Sequence, residues 1–134
     1  MSIISPLGNI DGKQWGATWK CFQIPGICEV WAMIINPHSY CSKHRHTFKF
    51  NQFVVLSGNL LVRTWKNDYP CIDETTIHPK GSMLVKPKEY HRFINNTDEV
   101  AIAIEIYWCE LGSDIEREDH GGTGLPPEDG EKND

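Results

Sequence analysis

Short apolar segments separated by turn residues recur along most of this chain. Large apolar side chains alternate with small or polar ones over residues 15–22, and a strongly apolar strand follows over residues 28–36, in which residues 30–35 are all apolar. Further strand-like runs return about every eight to twelve residues as far as Trp108, without any long helical pattern. This rhythm predicts an all-β protein, either a sandwich or a barrel, in which the most apolar strand is covered on both faces.

Two neighbouring runs carry a turn signal between them. Residues 53–56 are apolar, residues 57–59 read Ser-Gly-Asn, and residues 60–65 are again strand-like. A short Gly-containing connection between two such runs is typical of a β-hairpin. We therefore expect these two strands to pair with each other.

The candidate chemistry begins just before this predicted hairpin, at His44 and His46. Side chains two positions apart in an extended chain point to the same face, so the two imidazoles can share one metal ion. A third histidine, His91, follows a Pro-containing turn and begins another short strand.

With these residues the chain resembles the cupin superfamily. The first cupin pattern is Gly, five residues, His-x-His, three or four residues, Glu, six residues, Gly; His44, His46 and Gly58 occupy their places, and Asn51 stands where the pattern has Glu. His38 stands at the place of the first Gly.

The second cupin pattern ends in His, three residues, Asn, and His91 and Asn95 match this spacing. The glycine of its Pro-x-Gly turn is replaced by Lys88 or Glu89, and the span from Gly81 to His91 is one residue short. The resemblance covers about residues 28–108 and implies a single cupin (jelly-roll) β-barrel.

We place the barrel domain at residues 15–111, after an N-terminal arm (1–14) and before a flexible, acidic, Gly/Pro-rich C-terminal tail (112–134). The resemblance implies that His44, His46 and His91 converge inside the barrel and bind one divalent transition metal, such as iron, manganese, nickel, copper or zinc. The other interpretation is that these histidines remain in a member that has lost its metal.

Asn51 is the informative departure, because an amide in place of a carboxylate removes one negative charge from the metal site. Such a site favours an anionic ligand. We expect Asn51 to face the metal and Gln52 to face away, although a β-bulge would exchange the two.

Glu105 and Tyr107 share one face of the last strand and are our candidate catalytic residues. A Glu in an apolar strand is seldom buried without a partner, so Glu105 is a candidate acid or base or a partner of a metal ligand; a structural ion pair or an exposed position is the alternative. The other face carries Ile104, Ile106 and Trp108.

Charge and composition exclude several function classes. Residues 112–134 contain eight acidic and two basic residues, which leaves ten acidic and eleven basic residues in the rest of the chain. No basic stripe indicates nucleic-acid binding. The sequence has neither an apolar run of membrane-spanning length nor a signal-peptide pattern, and its five scattered cysteines favour reduced thiols, so we expect a cytoplasmic protein.

The sequence also predicts a short helical turn near the C-terminus and a homodimer. Residues 113–120 predict a short helical turn capped by Ser113. The aromatic side chains Trp15, Trp19 and Phe22 predict a homodimer that pairs through the N-terminal strand.

Two function classes fit these observations. The first is a small metal-dependent enzyme of oxygenase, isomerase or lyase type that acts on a polar or anionic metabolite in the barrel pocket. The second is a non-catalytic cupin module that binds a sugar or a small carboxylate. Fold alone does not distinguish them.

Overall fold

The computed structural model describes residues 2–5, 8–65, 72–108 and 114–127, with side chains described from residue 12 onward. Strands are the only regular elements in these segments, and all their pairings are antiparallel. The predicted all-β class is confirmed. Over the same segments, no helix has the length and apolar character needed to cross a membrane.

The larger of two sheets has seven strands. Their order across the sheet is β1 (Ser2–Ser5), β2 (Gly8–Lys13), β3 (Gly16–Ile24), β4 (Cys28–Ile35), β12 (Ala101–Trp108), β7 (Phe50–Ser57) and β10 (Ser82–Val85).

The second sheet is built around one strand that pairs with three others. Its order is β13 (Glu116–Arg117), β6 (His44–Arg45), β11 (Tyr90–Asn95), β5 (Ser39–Tyr40) and β14 (Gly122–Thr123), and β11 also pairs with β8 (Leu60–Trp65), which pairs with β9 (Ile72–Ile77). The two sheets form a jelly-roll, and no ladder among the described strands joins them into a closed barrel.

The hydrophobic core lies between the sheets because the central strands alternate. Odd-numbered positions of β4, β7 and β12 face inward, and the even-numbered positions face outward. The inward residues toward one end of these strands are apolar and almost fully buried: Met33, Ile35, Phe53, Val55, Ala101 and Ala103. The polar site described below lies toward the other end.

The predicted hairpin between residues 53 and 65 does not form. β7 pairs with β12 and β10 in the larger sheet, whereas β8 pairs with β9 and β11 in the second. The connection therefore carries the chain from one sheet to the other. Gly58 makes this crossing with a φ of 75°, where a Cβ would lie 2.8 Å from the carbonyl oxygen of Val100.

The segments at the two ends both add strands. Residues 2–5 and 8–13 extend the edge of the larger sheet as β1 and β2. Residues 114–127, which we expected to belong to a flexible tail, contain β13 and β14, and these strands pair with β6 and β5. The helical turn predicted at residues 113–120 is wrong where it is described, because residues 116–117 form β13 instead.

Trp15 belongs to the core of its own subunit. It is 8% exposed, and its ring packs edge-on against Phe93 at a centroid distance of 4.9 Å. Its aromatic ring therefore packs within its own chain. Phe22, from the same aromatic set, is 54% exposed.

Among the described residues, three non-glycine residues adopt the left-handed conformation that glycine favours. Lys80, with a φ of 72°, lies in the turn before β10, and the other two stand at positions of the two sequence patterns. These two are His38, with a φ of 52°, and Lys88, with a φ of 71°. Both stand where the two sequence patterns have glycine, so the backbone turns are retained although the residue type is not. Each such residue costs about 1 kcal/mol or more relative to glycine.

Candidate metal centre

Three histidines come together between the sheets. His44 on β6 and His91 on β11 are direct cross-strand partners, and His46 follows β6 by one residue. The ring centroids of His44 and His91 lie 4.5 Å apart, and those of His46 lie 5.3 and 5.4 Å from the other two. All three side chains are buried, and one nitrogen of each lies within 4.8 Å of one nitrogen of the others.

Backbone carbonyls hold the three rings in one tautomer. A carbonyl oxygen only accepts hydrogen bonds, so the Nδ1 that faces it carries the proton and donates, while Nε2 retains its lone pair. The Nδ1-to-oxygen distances are 2.7 Å from His44 to Ser42, 2.5 Å from His46 to Asp114 and 3.1 Å from His91 to Glu89. Carbonyl partners of this kind orient metal-binding imidazoles.

Burial keeps these imidazoles neutral. It lowers the pKa of His91 to about 3 and holds the pKa of His44 well below its ordinary value, and in both cases a neighbouring histidine of the cluster lowers the pKa further. Burial also lowers the pKa of His46. Neutral imidazole is the form that binds a metal ion.

The cluster fits a divalent metal because it holds buried acceptors without partners. Among the described residues, Nε2 of His46 and Oδ1 of Asn51 are fully buried and accept no hydrogen bond. A buried acceptor without a partner destabilises the folded state, and a cation satisfies it. Three neutral imidazoles with open positions are a sufficient ligand set for a transition metal.

Asn51 faces the cluster, and Gln52 faces the opposite side of β7. Asn51 is fully buried; its Nδ2 lies 3.4 Å from Nε2 of His91 and donates to Oε2 of Glu105 at 2.9 Å. The amide therefore turns its nitrogen toward His91 and Glu105. That Asn51 is itself a metal ligand stays a prediction.

Glu105 and Tyr107 lie beside the histidines on the inner face of β12. The Tyr107 hydroxyl donates to Oε2 of Glu105 at 2.7 Å, and its ring lies 5.3 Å from that of His46. Burial raises the pKa of Glu105, although its hydrogen bonds with Tyr107 and Asn51 oppose this shift. Burial and the nearby Glu105 carboxylate raise the pKa of Tyr107 well above its ordinary value, so the phenol is neutral.

A cavity of about 750 Å³ opens beside these residues. This volume suits a small-molecule ligand. His44, His46, Glu105 and Tyr107 line it, together with two charged residues that our sequence analysis missed, Glu29 and Lys49.

The signal for Glu29 was present in the sequence. Glu29 is a single carboxylate in the apolar β4, just as Glu105 is in β12, and the argument that singled out Glu105 applies equally to it. Lys49 had no such signal, because a lysine three residues after His46 reads as an ordinary surface residue. It is 6% exposed.

Asp114 supports the loop that carries His46 and was also missed. Its carboxylate accepts the backbone N–H groups of Thr47, Phe48 and Lys49 at 2.7–3.0 Å, and its carbonyl accepts from His46. Burial raises the pKa of Asp114, but these three N–H donors outweigh it and leave the pKa below its ordinary value.

Arg92 and Cys41 lie close to the histidine cluster, and Cys41 is part of the cavity lining. The Arg92 guanidinium is 1% exposed and donates to the Cys41 carbonyl and the Asp119 carboxylate, so it anchors the segment around Asp119. The Cys41 thiol is buried, and burial raises its pKa. A protonated, buried thiol is a core side chain and not a nucleophile.

No protein-family model and no curated protein sequence matches the chain. Solved structures do match it. The capsular polysaccharide assembling protein CapF from Staphylococcus aureus has a TM-score of 0.71 and 18% identity over 81% of this chain and 31% of its own. Lactobacillus farciminis oxalate decarboxylase, in its formate complex, has a TM-score of 0.71 and 13% identity over 81% and 33%. The coconut allergen cocosin has a TM-score of 0.64 and 11% identity over 73% and 29%.

At these identities the likeness shows the fold alone. CapF and oxalate decarboxylase are cupins, so this chain has the cupin fold, which confirms the resemblance found in the sequence. The chain spans about a third of the length of these solved proteins. The fold and the three-histidine cluster together support a metal-binding cupin.

Proposed function

We propose, from the cupin fold and the buried histidine cluster, that this protein is a metal-dependent enzyme of oxygenase, isomerase or lyase type that acts on a small polar or anionic metabolite. The observation that carries the proposal is the way the three imidazoles are held. Each Nδ1 is bonded to a backbone carbonyl, which leaves the Nε2 lone pairs for a metal. The Asn51 amide nitrogen lies 3.4 Å from Nε2 of His91, and the buried Nε2 of His46 has no partner among the described residues.

His44, His46 and His91 would hold the ion. A divalent ion bound there supplies Lewis acidity toward a substrate oxygen, and iron or copper also supplies redox chemistry. Neutral imidazoles leave the charge of the ion uncompensated. This favours a substrate that brings an anionic oxygen to the centre.

Glu105 is our candidate for proton transfer. Its Oε2 already accepts from Asn51 and Tyr107, whereas its Oε1 has no hydrogen-bond partner among the described residues. Because burial raises the pKa of this carboxyl group, it can take and return a proton closer to neutral pH than an exposed glutamate. Tyr107 and Asn51 position the carboxylate in this proposal.

The solved cupins are consistent with a small oxygen ligand. The oxalate decarboxylase was solved as a formate complex, and CapF was solved with the inhibitor 3-isopropenyl-tropolone. Formate is a carboxylate and a tropolone is an oxygen-rich ring. We extend this ligand class, but neither protein's activity, to the present chain.

One observation favours the alternative, a non-catalytic module that binds a sugar or small carboxylate. Glu105 is held by two donors on one oxygen, which is also how a purely structural carboxylate is satisfied. Turnover distinguishes the two proposals, because a binding module retains ligand without converting it.

Elemental analysis of protein purified without a histidine tag tests the proposal. We expect close to one transition-metal ion per chain after reconstitution with iron, manganese, nickel, copper or zinc. His44→Ala should weaken metal binding by more than about a hundredfold, because losing a ligand exceeds the ten- to hundredfold effect typical of losing a ligand's hydrogen-bond partner.

His78→Ala is the matched control. His78 is exposed, and its Nδ1 bonds to Asn59 away from the cluster, so its loss should leave metal content unchanged. Occupancy far below one ion per chain with every metal tested would show that the metal proposal is wrong. Full occupancy in His44→Ala would show that the ligand assignment is wrong.

A further inference from the structure

Lys49 is a buried cation that faces the cavity. Its side chain is 8% exposed, although lysine is seldom buried without a partner. Its described contacts are Oε1 of Glu29 at 3.7 Å and the Tyr107 ring, whose centroid lies 4.5 Å from Nζ. Neither contact is a hydrogen bond, and an ammonium group has three N–H donors. Lys49 therefore has donors to offer to a ligand in the cavity.

Glu29 does not neutralise the wall around Lys49, because two lysines share it. The Lys20 ammonium lies 3.2 Å from Oε2 of Glu29, while Lys49 approaches Oε1. The described cavity lining contains two carboxyl groups, Glu29 and Glu105, against three lysines, Lys13, Lys20 and Lys49. The Lys49 charge opposes the rise that burial causes in the pKa of Glu105. Arg117 adds a further cation to the lining of the cavity.

The cationic wall is close to the histidine centre. The Tyr107 ring contacts both the Lys49 ammonium, at 4.5 Å, and the His46 ring, at 5.3 Å. A small metabolite in the cavity is thus able to contact Lys49 at one end and the histidine centre at the other.

We propose that Lys49 binds an anionic group of the substrate, so that the pocket selects small metabolites that carry a carboxylate or phosphate in addition to the oxygen that meets the histidine centre. This inference rests on the proposed function, because it names the substrate class of the same pocket. Lys49 recognises the charged group of the substrate that lies away from the histidine centre.

Calorimetric titration of four probes tests the inference. Succinate and its monoamide, succinamate, differ by one charge at nearly constant shape, and glycerol 3-phosphate and glycerol differ by a phosphate. We expect the wild-type protein to prefer succinate over succinamate, or glycerol 3-phosphate over glycerol, about tenfold or more, since hydrogen bonds to charged groups carry that much affinity. The pair that shows the preference identifies carboxylate or phosphate.

Substitutions on the wall have opposite expected effects. Lys49→Met keeps the length of the side chain and should abolish the preference, whereas Lys49→Arg should retain most of it. Glu29→Gln removes the competing carboxylate and should strengthen binding of the charged probe. Lys86→Met, an exposed lysine outside the cavity, should change nothing.

Metal content is measured on the same samples, with each titration repeated on metal-stripped protein. Normal metal content with an undiminished preference in Lys49→Met overturns the inference and leaves the proposed function standing. Absence of any preference in the metal-loaded wild type also overturns it. If Lys49→Met does not fold, the Glu29→Gln variant provides the test. Unchanged or weaker binding of the charged probe to this variant would show that Lys49 pairs with Glu29 and does not bind a ligand.

Discussion

The two faces of β12 differ in chemistry along the whole strand. The inward side chains begin with Ala101 and Ala103 and end with Glu105 and Tyr107 at the cavity. The outward side chains are apolar from end to end: Ile102, Ile104, Ile106 and Trp108. The neighbouring strands extend this outer face with, among others, Ile34, Leu56 and Leu84, each at least 37% exposed.

In this sheet, polar side chains are buried on the inner face, whereas apolar side chains are exposed to solvent on the outer face. Polar groups between the sheets are buried at a cost that only partners or a ligand offset, so their presence marks a functional site. An exposed apolar face of this extent marks a surface that another molecule covers. The outward positions of β3, β4, β12, β7 and β10 carry no charged residue in the described register.

An uncharged apolar face is complementary to itself, and we propose that a second copy of the chain covers it. A two-fold axis places the same surface on both subunits, and no like charges oppose each other there. Ile102→Glu introduces a buried charge at such an interface. We expect this change to weaken dimerisation by more than about a hundredfold, measured by light scattering across a concentration series.

Because Ile102 is 39% exposed in the single chain, its substitution should leave folding and metal content unchanged. Thr75→Glu, on the exposed β9 of the other sheet, is the matched control and should remain dimeric. A monomeric wild type at tens of micromolar would contradict the proposal. The homodimer would then be excluded despite the apolar face.

Adjacent residues of β7 allow both faces to be tested with the same chemical change. Asn51→Glu places a carboxylate beside His91 and should strengthen divalent-metal binding about tenfold, with a shift toward harder ions such as manganese. It also replaces the hydrogen bond to Glu105 with a contact between two carboxylates, so the metal-free protein should lose about 1–3 kcal/mol of unfolding free energy.

Gln52→Glu is the control on the outer face. Gln52 pairs with Ile106 and Leu84 in the apolar surface, so a charge there should weaken dimerisation and leave metal affinity unchanged. Competition titration with a chelator measures the affinities. Equal metal affinities in wild type and Asn51→Glu would show that position 51 does not contribute to the metal site.

The parts of the fold that depend on local sequence pattern were predictable from the sequence. Strand positions and the alternation of β12 follow from apolar periodicity, and the histidine spacing indicated the superfamily. The partner of each strand does not follow from local pattern, and the hairpin expected around Gly58 failed for this reason. A turn with the composition of a hairpin instead carries the chain between sheets, and the Val100 carbonyl lies so close to Gly58 that a Cβ there would be 2.8 Å from its oxygen.

The site was predictable where residue type itself signals chemistry. His44, His46 and His91 were found because their spacing matches the two cupin patterns. Lys49 was missed because its burial depends on strands distant in sequence. The contribution of Asp114 was missed because it is made with backbone groups, which leave no trace in residue types.

Asp114 lies outside the large sheet, and its substitution tests whether the polar inner face depends on this segment. Asp114→Ala removes the acceptor of three backbone N–H groups in the loop between His46 and β7. We expect a loss of about 1–3 kcal/mol in unfolding free energy and about tenfold weaker metal binding, because the loop beside His46 loses its anchor and the carbonyl of residue 114, which accepts from His46, is no longer held in place. Dimerisation through the outer face should not change. Glu116→Ala removes a neighbouring exposed ion pair with Arg45 and should leave stability almost unchanged, because solvent screens such pairs. Chemical denaturation and chelator competition on both variants would distinguish these outcomes, and equal effects from the two substitutions would mean that the loop holds His46 in place without Asp114.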